Sequence, residues 1–216
     1  MKKLSFLLVL VMVLSLFSGC RRNVPQDDEN GNITGNPSSS DTNNPDGFGG
    51  MQDDPLDMAK TQSCQYLTDL WEAFPEEQRF AAYGGTVESA TDNAPGELDM
   101  QNTEELTTKY LLPETQLSNV SEAASLVHMM NSNIFTAAVV KLTQAEAMTP
   151  LYEAWRDTIQ SNRWICGQPD KLLMAKLDSN HLLMVFGSAE IMEKFAGLLT
   201  TTVTGAEVLY HQAVVS

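Results

Sequence analysis

Residues 171–186, KLLMAKLDSNHLLMVF, decide the fold of this chain. Two mostly apolar runs, 171–177 and 181–186, flank the short polar segment Asp178-Ser179-Asn180. Asp, Ser and Asn favour turns because their side chains hydrogen-bond to nearby backbone groups. The alternation of strand-forming runs with a turn segment predicts a β-hairpin.

Further predicted elements lie on both sides of this hairpin. A β-prone run covers residues 134–142, and a helix is predicted to start at Thr149-Pro150. After the hairpin, Ser188 is the expected cap of a second helix, and residues 206–215 alternate like a strand. The order β-α-β-β-α-β is that of the ferredoxin-like arrangement, in which the first and third strands are central. The sequence therefore predicts an α+β domain with a ferredoxin-like, two-layer architecture.

The polarity of the strands supports this order. Residues 137–140 and 182–186 are apolar on both faces, as central strands should be. Lys171, Lys176 and Glu207 place charge on the strands expected at the edges. In this arrangement both crossover helices pack on one face of the sheet, so the other face needs a cover.

A helix in front of the sheet is the predicted cover. Asp54-Pro55 suits a helix start, because Asp caps helices and Pro is accepted at the first position. Apolar side chains then recur on one face as far as Phe74, and Cys64 lies on that stripe. We therefore expect an extra N-terminal helix over residues 55–74 that lies on the open face of the sheet.

The N-terminus has the pattern of a lipoprotein signal peptide. Lys2 and Lys3 precede an apolar run over residues 4–17, which is too short to span a bilayer. The segment LFSGC that ends at Cys20 resembles the bacterial lipobox, with Phe where Leu is more usual. The resemblance implies that residues 1–19 are removed and that Cys20 carries a diacylglyceryl anchor on the extracytoplasmic face of the cell membrane. An ordinary secretory leader with a coincidental cysteine is the alternative.

Residues 20–53 are predicted to comprise the lipidated Cys20 and an acidic, disordered tether. Asn, Asp, Ser, Gly and Pro dominate this segment, and such a composition cannot bury enough apolar surface to fold. As a flexible coil it would hold the domain roughly 30 Å from the anchor. The domain itself is then expected to span residues 54–216.

Net charge limits the partners. The chain has a formal net charge of −15, which argues against nucleic acid because phosphate binding needs clustered Lys and Arg. Arg21-Arg22 lie beside the anchor, where they could contact anionic lipid headgroups. The predicted partners are the membrane, through the lipid anchor, and a protein or small molecule of unknown identity.

Three histidines are candidate metal ligands. His128 precedes the first predicted sheet strand, His181 opens the third, and His211 lies near the end of the fourth. If the third strand runs parallel to the first and the fourth antiparallel, the three imidazoles approach one edge of the sheet. With Asp178 they could bind zinc or copper, although the spacing matches no known metal motif. Histidines hydrogen-bonded at strand ends are the alternative, and no cofactor is predicted.

Cys64 and Cys166 remain once Cys20 is lipidated. A disulfide between them would close a loop of about 100 residues and stabilise the fold by about 4 to 5 kcal/mol. Two buried thiols are the alternative.

Cys166 is a poor candidate nucleophile, because Gly167 and Pro169 mark a helix C-terminus, which disfavours a thiolate. The sequence contains no Gly-x-Ser-x-Gly, phosphate-loop or His-Glu-x-x-His motif, so we expect no enzyme.

Three segments have an unusual composition: FAAYGG at 80–85, HMMN at 128–131 and NRWICG at 162–167. Each could fill irregular core space, since Met and Trp pack well there and Gly allows tight turns. The functional interpretation is a partly exposed aromatic and thioether surface for a partner or an apolar ligand.

At these residues the chain resembles a group of small lipoproteins from Gram-positive bacteria that contain a domain of unknown function. The match runs from about residue 112 to residue 210 and rests on the HMMN segment, the WICGQP segment and the final strand. It implies a lipid-anchored extracytoplasmic α/β domain and brings no site residues. We therefore expect a non-enzymatic binding or protein-interaction module, with metal handling as the alternative.

Overall fold

The predicted hairpin lies inside a larger antiparallel sheet in the computed structural model, which describes residues 60–130, 134–165 and 167–215. The predicted signal peptide and tether, with Cys20, lie outside these ranges, as does Cys166. The helices are α1 (Gln62–Ala73), α2 (Thr103–Thr108), α3 (Met148–Gln160) and α4 (Ala189–Thr202). The strands are β1 (Ala82–Gly84), β2 (Thr91–Asp92), β3 (Gly96–Glu97), β4 (Val120–His128), β5 (Phe135–Leu142), β6 (Lys171–Lys176), β7 (His181–Gly187) and β8 (Glu207–Ala213).

Local signals explain where the helices begin and end. The Thr61 hydroxyl accepts a hydrogen bond from the Cys64 N–H at the start of α1, and Pro75 follows the end of this helix. Ser188 occupies the predicted N-cap position of α4, but its side chain makes no capping hydrogen bond. A carboxylate oxygen of Asp170 accepts the Ala189 N–H at 2.8 Å instead. No helix in the described residues is long and apolar enough to cross a membrane.

The strand order confirms an α+β domain and corrects its topology. The order is β2-β1-β4-β5-β7-β6-β8, with β3 also paired to β4, and every pair is antiparallel. The predicted succession β-α-β-β-α-β is present from β5 to β8. In the ferredoxin-like order the last strand lies beside the first, whereas β8 pairs with β6. The place beside β5 is taken by β4, a strand of nine residues that directly precedes β5 in the chain.

This order also places the helices. The crossovers β5-α3-β6 and β7-α4-β8 both step two positions in the same direction across the sheet, but β5 and β7 run antiparallel. Two crossovers of the same, right-handed sense must then lie on opposite faces. The expectation that both crossover helices share one face is therefore wrong, and so is the role of α1 as the cover of the opposite face. Helix α1 packs beside α4, on the same face.

Two cores result, one on each face of the sheet. On the face that α3 covers, Leu151, Trp155 and Ile159 pack with the chain around α2. On the face that α1 and α4 cover, Leu67 and Phe195 lie among apolar side chains of β5 and β7. Because both faces are covered, the inner strands are apolar on both sides, as the sequence indicates.

Candidate functional site

The described residues of the three segments of unusual composition come together at one end of the sheet. A cleft of about 460 Å³ lies where β4 ends, β5 begins and the loop after α3 crosses toward β6. Residues of the 128–131 and 162–167 segments line this cleft, and the 80–85 segment contacts it through the ring of Phe80, which stacks on His128. We call this site the β4–β5 cleft; its wall and rim include Val127, His128, Met130, Ile134, Trp164 and Ile165.

Chain geometry explains this convergence. The backbone of 80–85 pairs with the end of β4, because Ala82 lies opposite His128 and the Met129 N–H donates to the Ala81 carbonyl at 2.9 Å. Helix α3 ends at Gln160, and the following loop returns to the sheet at Lys171. The Trp164 ring packs edge-on against Phe186, with ring centroids 5.2 Å apart, and this contact fixes the loop against the sheet.

His128 is held as a neutral side chain in the cleft. Its Nδ1 accepts a hydrogen bond from the Met130 N–H at 2.9 Å, which leaves the proton on Nε2. The Phe80 ring lies nearly parallel to the imidazole, with centroids 4.6 Å apart and planes inclined by 9°. Burial lowers the pKa of His128. At neutral pH this side chain is therefore a hydrogen-bond donor through Nε2 and carries no charge.

Large apolar side chains are exposed around the cleft. In the lining, Ile165 is 93% exposed and Met130 58%. Met129, which lies between His128 and Met130 in the chain, is 42% exposed. In the described part of the chain, the other exposed large apolar residues are Val87, Val208 and Val215. An exposed apolar group beside a concave surface is a common property of binding sites. Of the predicted partly exposed aromatic and thioether surface, the methionine side chains are exposed, whereas the rings of Phe80, Tyr83 and Trp164 are half-buried.

The cleft differs electrostatically from the rest of the protein. Arg163 is the one charged side chain among the residues that line it, and no Asp or Glu is among them. Within the described ranges, Arg163 makes no ion pair. The indole Nε1 of Trp164 is buried and has no hydrogen-bond acceptor among the described residues. Trp164 lines the cleft, so one unpaired N–H lies in its wall beside the cationic Arg163.

The structure does not bring the three histidines together. Because β5 and β7 are antiparallel rather than parallel, Phe135 lies opposite Gly187 at the end of the sheet near His128, whereas His181 lies at the other end, opposite Lys141. His211 lies opposite Leu173, on the outer strand β8. Among the described residues no group of three His, Cys, Asp or Glu side chains could hold a metal ion. The shared zinc or copper site is therefore wrong in its geometry.

His181 belongs to a buried polar network that the sequence did not indicate as a unit. Its Nδ1 lies 2.8 Å from Asp178 Oδ2, and its Nε2 lies 3.8 Å from Glu122 Oε1. The Tyr66 hydroxyl donates to Asp178 Oδ2 at 2.8 Å, and the Ser63 N–H donates to Glu122 Oε1 at 2.8 Å. Both outer contacts come from α1, so the network joins this helix to the sheet.

Ser63, His181 and Asp178 are also the residue types of a nucleophile, a base and an orienting acid. Ser63 is fully buried and His181 is 4% exposed. A substrate therefore has no access to either side chain. The network is therefore interpreted as a structural connection.

The predicted disulfide stays a prediction. Cys64 is buried on α1, and burial raises the pKa of its thiol, which disfavours the reactive thiolate. Its predicted partner Cys166 and the predicted lipidation site Cys20 lie outside the described residues.

Comparison with known proteins finds no match to a protein-family model, a curated protein or a solved structure. The predicted resemblance to Gram-positive lipoproteins therefore stays a prediction. The described residues form an α+β domain with an eight-stranded antiparallel sheet, and the β4–β5 cleft is its candidate binding site.

Proposed function

We propose that this protein is a lipid-anchored, extracytoplasmic binding module that binds its ligand in the β4–β5 cleft. The lipobox-like segment ending at Cys20 supports the anchor, and the apolar rim of the cleft supports the binding role. The single observation that carries the proposal is the exposure of Met130 and Ile165 in the lining of one concave site.

Size and composition of the cleft favour a ligand-binding role. Its volume of about 460 Å³ lies within the range of small-molecule sites, which are mostly apolar with a few placed polar groups. Methionine side chains are flexible, so Met130 at the rim can adapt to the shape of a ligand. No hydrogen-bonded set of catalytic residues surrounds the cleft in the described residues, and the proposed activity is binding.

A photo-reactive benzoylphenylalanine placed at position 165 of the full chain, in its own membrane, tests the proposal. Ile165 is almost fully exposed, so this replacement leaves the fold intact. Position 87 is the matched control, because Val87 is also an exposed apolar residue and does not line the cleft. After irradiation, the mass of the intact protein is measured.

The proposal predicts a defined adduct at position 165 and none at position 87. The mass of the adduct also separates a small ligand from a protein partner, and both results agree with a binding module. Equal labelling at the two positions, or none at position 165, would contradict the cleft as the binding site.

A further inference from the structure

We propose that the ligand of the β4–β5 cleft is an apolar acid, a small molecule with an apolar body and one carboxylate; this rests on the proposed binding function of the cleft. The three observations behind it are the charge of the lining, the unpaired indole N–H of Trp164 in the wall and the apolar surface beside them.

The charge of the lining selects an anion. The chain has 28 Asp and Glu against 13 Lys and Arg, yet the charged side chain that lines the cleft is Arg163. In the described ranges Arg163 forms no ion pair, so no described carboxylate competes with a ligand for its guanidinium. A guanidinium matches the planar carboxylate through two parallel hydrogen bonds. The chain as a whole is acidic, so a lining with one cation and no carboxylate departs from its average charge.

The hydrogen-bond donors in the cleft wall favour a ligand that carries hydrogen-bond acceptors. A buried donor without a partner costs about 1 to 3 kcal/mol, and the Trp164 indole N–H is such a donor within the described part of the chain. Its neighbour in the lining, His128, is neutral with its proton on Nε2, and Asn162 adds an amide. A carboxylate has only acceptors and can take hydrogen bonds from several of these groups at once.

Apolar surface next to these donors selects the rest of the ligand. Val127, Ile134 and Phe135 line the cleft beside Met130 and Ile165. Burial of apolar surface contributes roughly 25 cal/mol for each Å² removed from water. A single cation with this much apolar wall suits a singly charged acid better than a doubly charged phosphate, which usually needs several cations or backbone donors.

Matched pairs of probes test the inference on the full chain. Decanoate is compared with 1-decanol, and 3-phenylpropionate with 3-phenylpropan-1-ol, by calorimetric titration at low salt. We expect each acid to bind about tenfold tighter than its alcohol, because the alcohol lacks the charge-assisted hydrogen bonds.

Two variants test which residues cause the preference for the acid, and a third is the control for the loss of one positive charge. In Arg163→Gln the acid should bind no tighter than the alcohol, while the affinity for the alcohol stays unchanged. In Trp164→Phe the ring contact with Phe186 is kept and the N–H is lost, so the acid alone should bind several-fold more weakly. Arg156→Gln removes the same charge from α3, where Arg156 pairs with Asp157, and should change neither affinity.

Several results would overturn the inference. Equal affinity for acid and alcohol would show that the cleft binds apolar ligands without preference for an anion. This result would reject the carboxylate site but agree with the proposed binding function. Binding of neither probe, together with a protein adduct at position 165, would also keep the proposed function and reject a small acid as the ligand. Tighter binding of decyl phosphate than of decanoate, or an acid preference that survives in Arg163→Gln, would likewise contradict it.

Discussion

The hydroxyl of Tyr66 donates a hydrogen bond to Asp178 Oδ2 at 2.8 Å and so joins α1 to the turn between β6 and β7. The same Oδ2 lies 2.8 Å from His181 Nδ1, and Asp178 Oδ1 accepts the backbone N–H groups of Asn180 and His181. One carboxylate therefore orders the turn, orients the imidazole and holds the helix. The stability of α1 on the sheet should depend on this residue.

The variant Tyr66→Phe should lower the free energy of unfolding by about 2 kcal/mol, because it removes a hydrogen bond to a charged group. Tyr152→Phe is the matched control, since the Tyr152 hydroxyl donates to the neutral carbonyl of Leu209 at 3.3 Å. The control should lose only about 0.5 to 1 kcal/mol. Urea denaturation measures both losses, and equal losses would contradict the role assigned to Asp178.

Stability should fall in acid because of Asp178 and Glu122. Burial alone raises the pKa of each carboxyl, but hydrogen bonds outweigh it and lower both pKa values: from Asn180, Tyr66 and His181 at Asp178, and from Ser63 and Lys141 at Glu122. The unfolded chain therefore binds protons more readily than the folded protein. The stabilisation is complete above the ordinary carboxyl pKa and is lost as the pH falls through the lower, folded values.

Urea midpoints measured between about pH 6 and about pH 3 check this dependence. The double variant Glu122→Gln, Asp178→Asn should start less stable and lose less stability over the same range. Curves of equal slope for the natural protein and the variant would show that other carboxyl groups cause the acid sensitivity.

Two glycines should respond in opposite directions to alanine. A Cβ at Gly84 would lie 2.2 Å from the Gly96 nitrogen and 2.3 Å from the Ser125 carbonyl oxygen, both rigid backbone atoms between β1, β3 and β4. Gly84→Ala should therefore unfold the sheet edge and lower the melting temperature strongly. Gly197→Ala lies in α4, where a Cβ meets nothing within 4 Å, and should stabilise the protein by about 0.5 to 1 kcal/mol. Thermal unfolding of the two variants compares them directly, and a mild effect at Gly84 would contradict the close strand contact.

The anchor is tested at Cys20. In the natural protein we expect incorporation of labelled fatty acid and recovery in the membrane fraction, as the lipobox-like segment LFSGC implies. Cys20→Ser should abolish both, whereas Cys64→Ser should retain the anchor. Membrane recovery of the Cys20→Ser protein with an intact leader would favour a different mode of attachment.

The hairpin was predictable because its signals are local. Alternating apolar runs and the Asp178-Ser179-Asn180 turn lie within a few residues of each other, and the strands β6 and β7 form where the sequence indicates. The pairing of β8 was not predictable, because it depends on which strand takes the place beside β5. Strand β4 occupies the place beside β5, and no sequence pattern within β8 indicates this pairing. The faces of α3 and α4 follow from the same choice.

The candidate site could also be predicted only in part, because local sequence signals do not show which segments meet. Segments 80–85, 128–131 and 162–167 stand out by composition, but their convergence depends on the loop after α3 returning to one end of the sheet. The metal hypothesis failed because it took the first and third strands as parallel, whereas adjacent strands here are antiparallel. Contacts of Tyr66 and Glu122 with the hairpin turn join distant parts of the chain and leave no local signal.

The central claim, that the β4–β5 cleft binds an apolar acid, is tested most directly by the indole N–H signals of the three tryptophans in a nitrogen-15 NMR spectrum. Trp71 and Trp155 donate to the carbonyls of Asn93 and Tyr110 at 2.9 Å, whereas Trp164 has a buried N–H with no acceptor among the described residues. Trp164→Phe assigns its signal. Addition of decanoate should shift the Trp164 signal and leave the other two unchanged; an unmoved Trp164 signal at saturating probe, or a shift at Trp71 or Trp155 alone, would contradict the account.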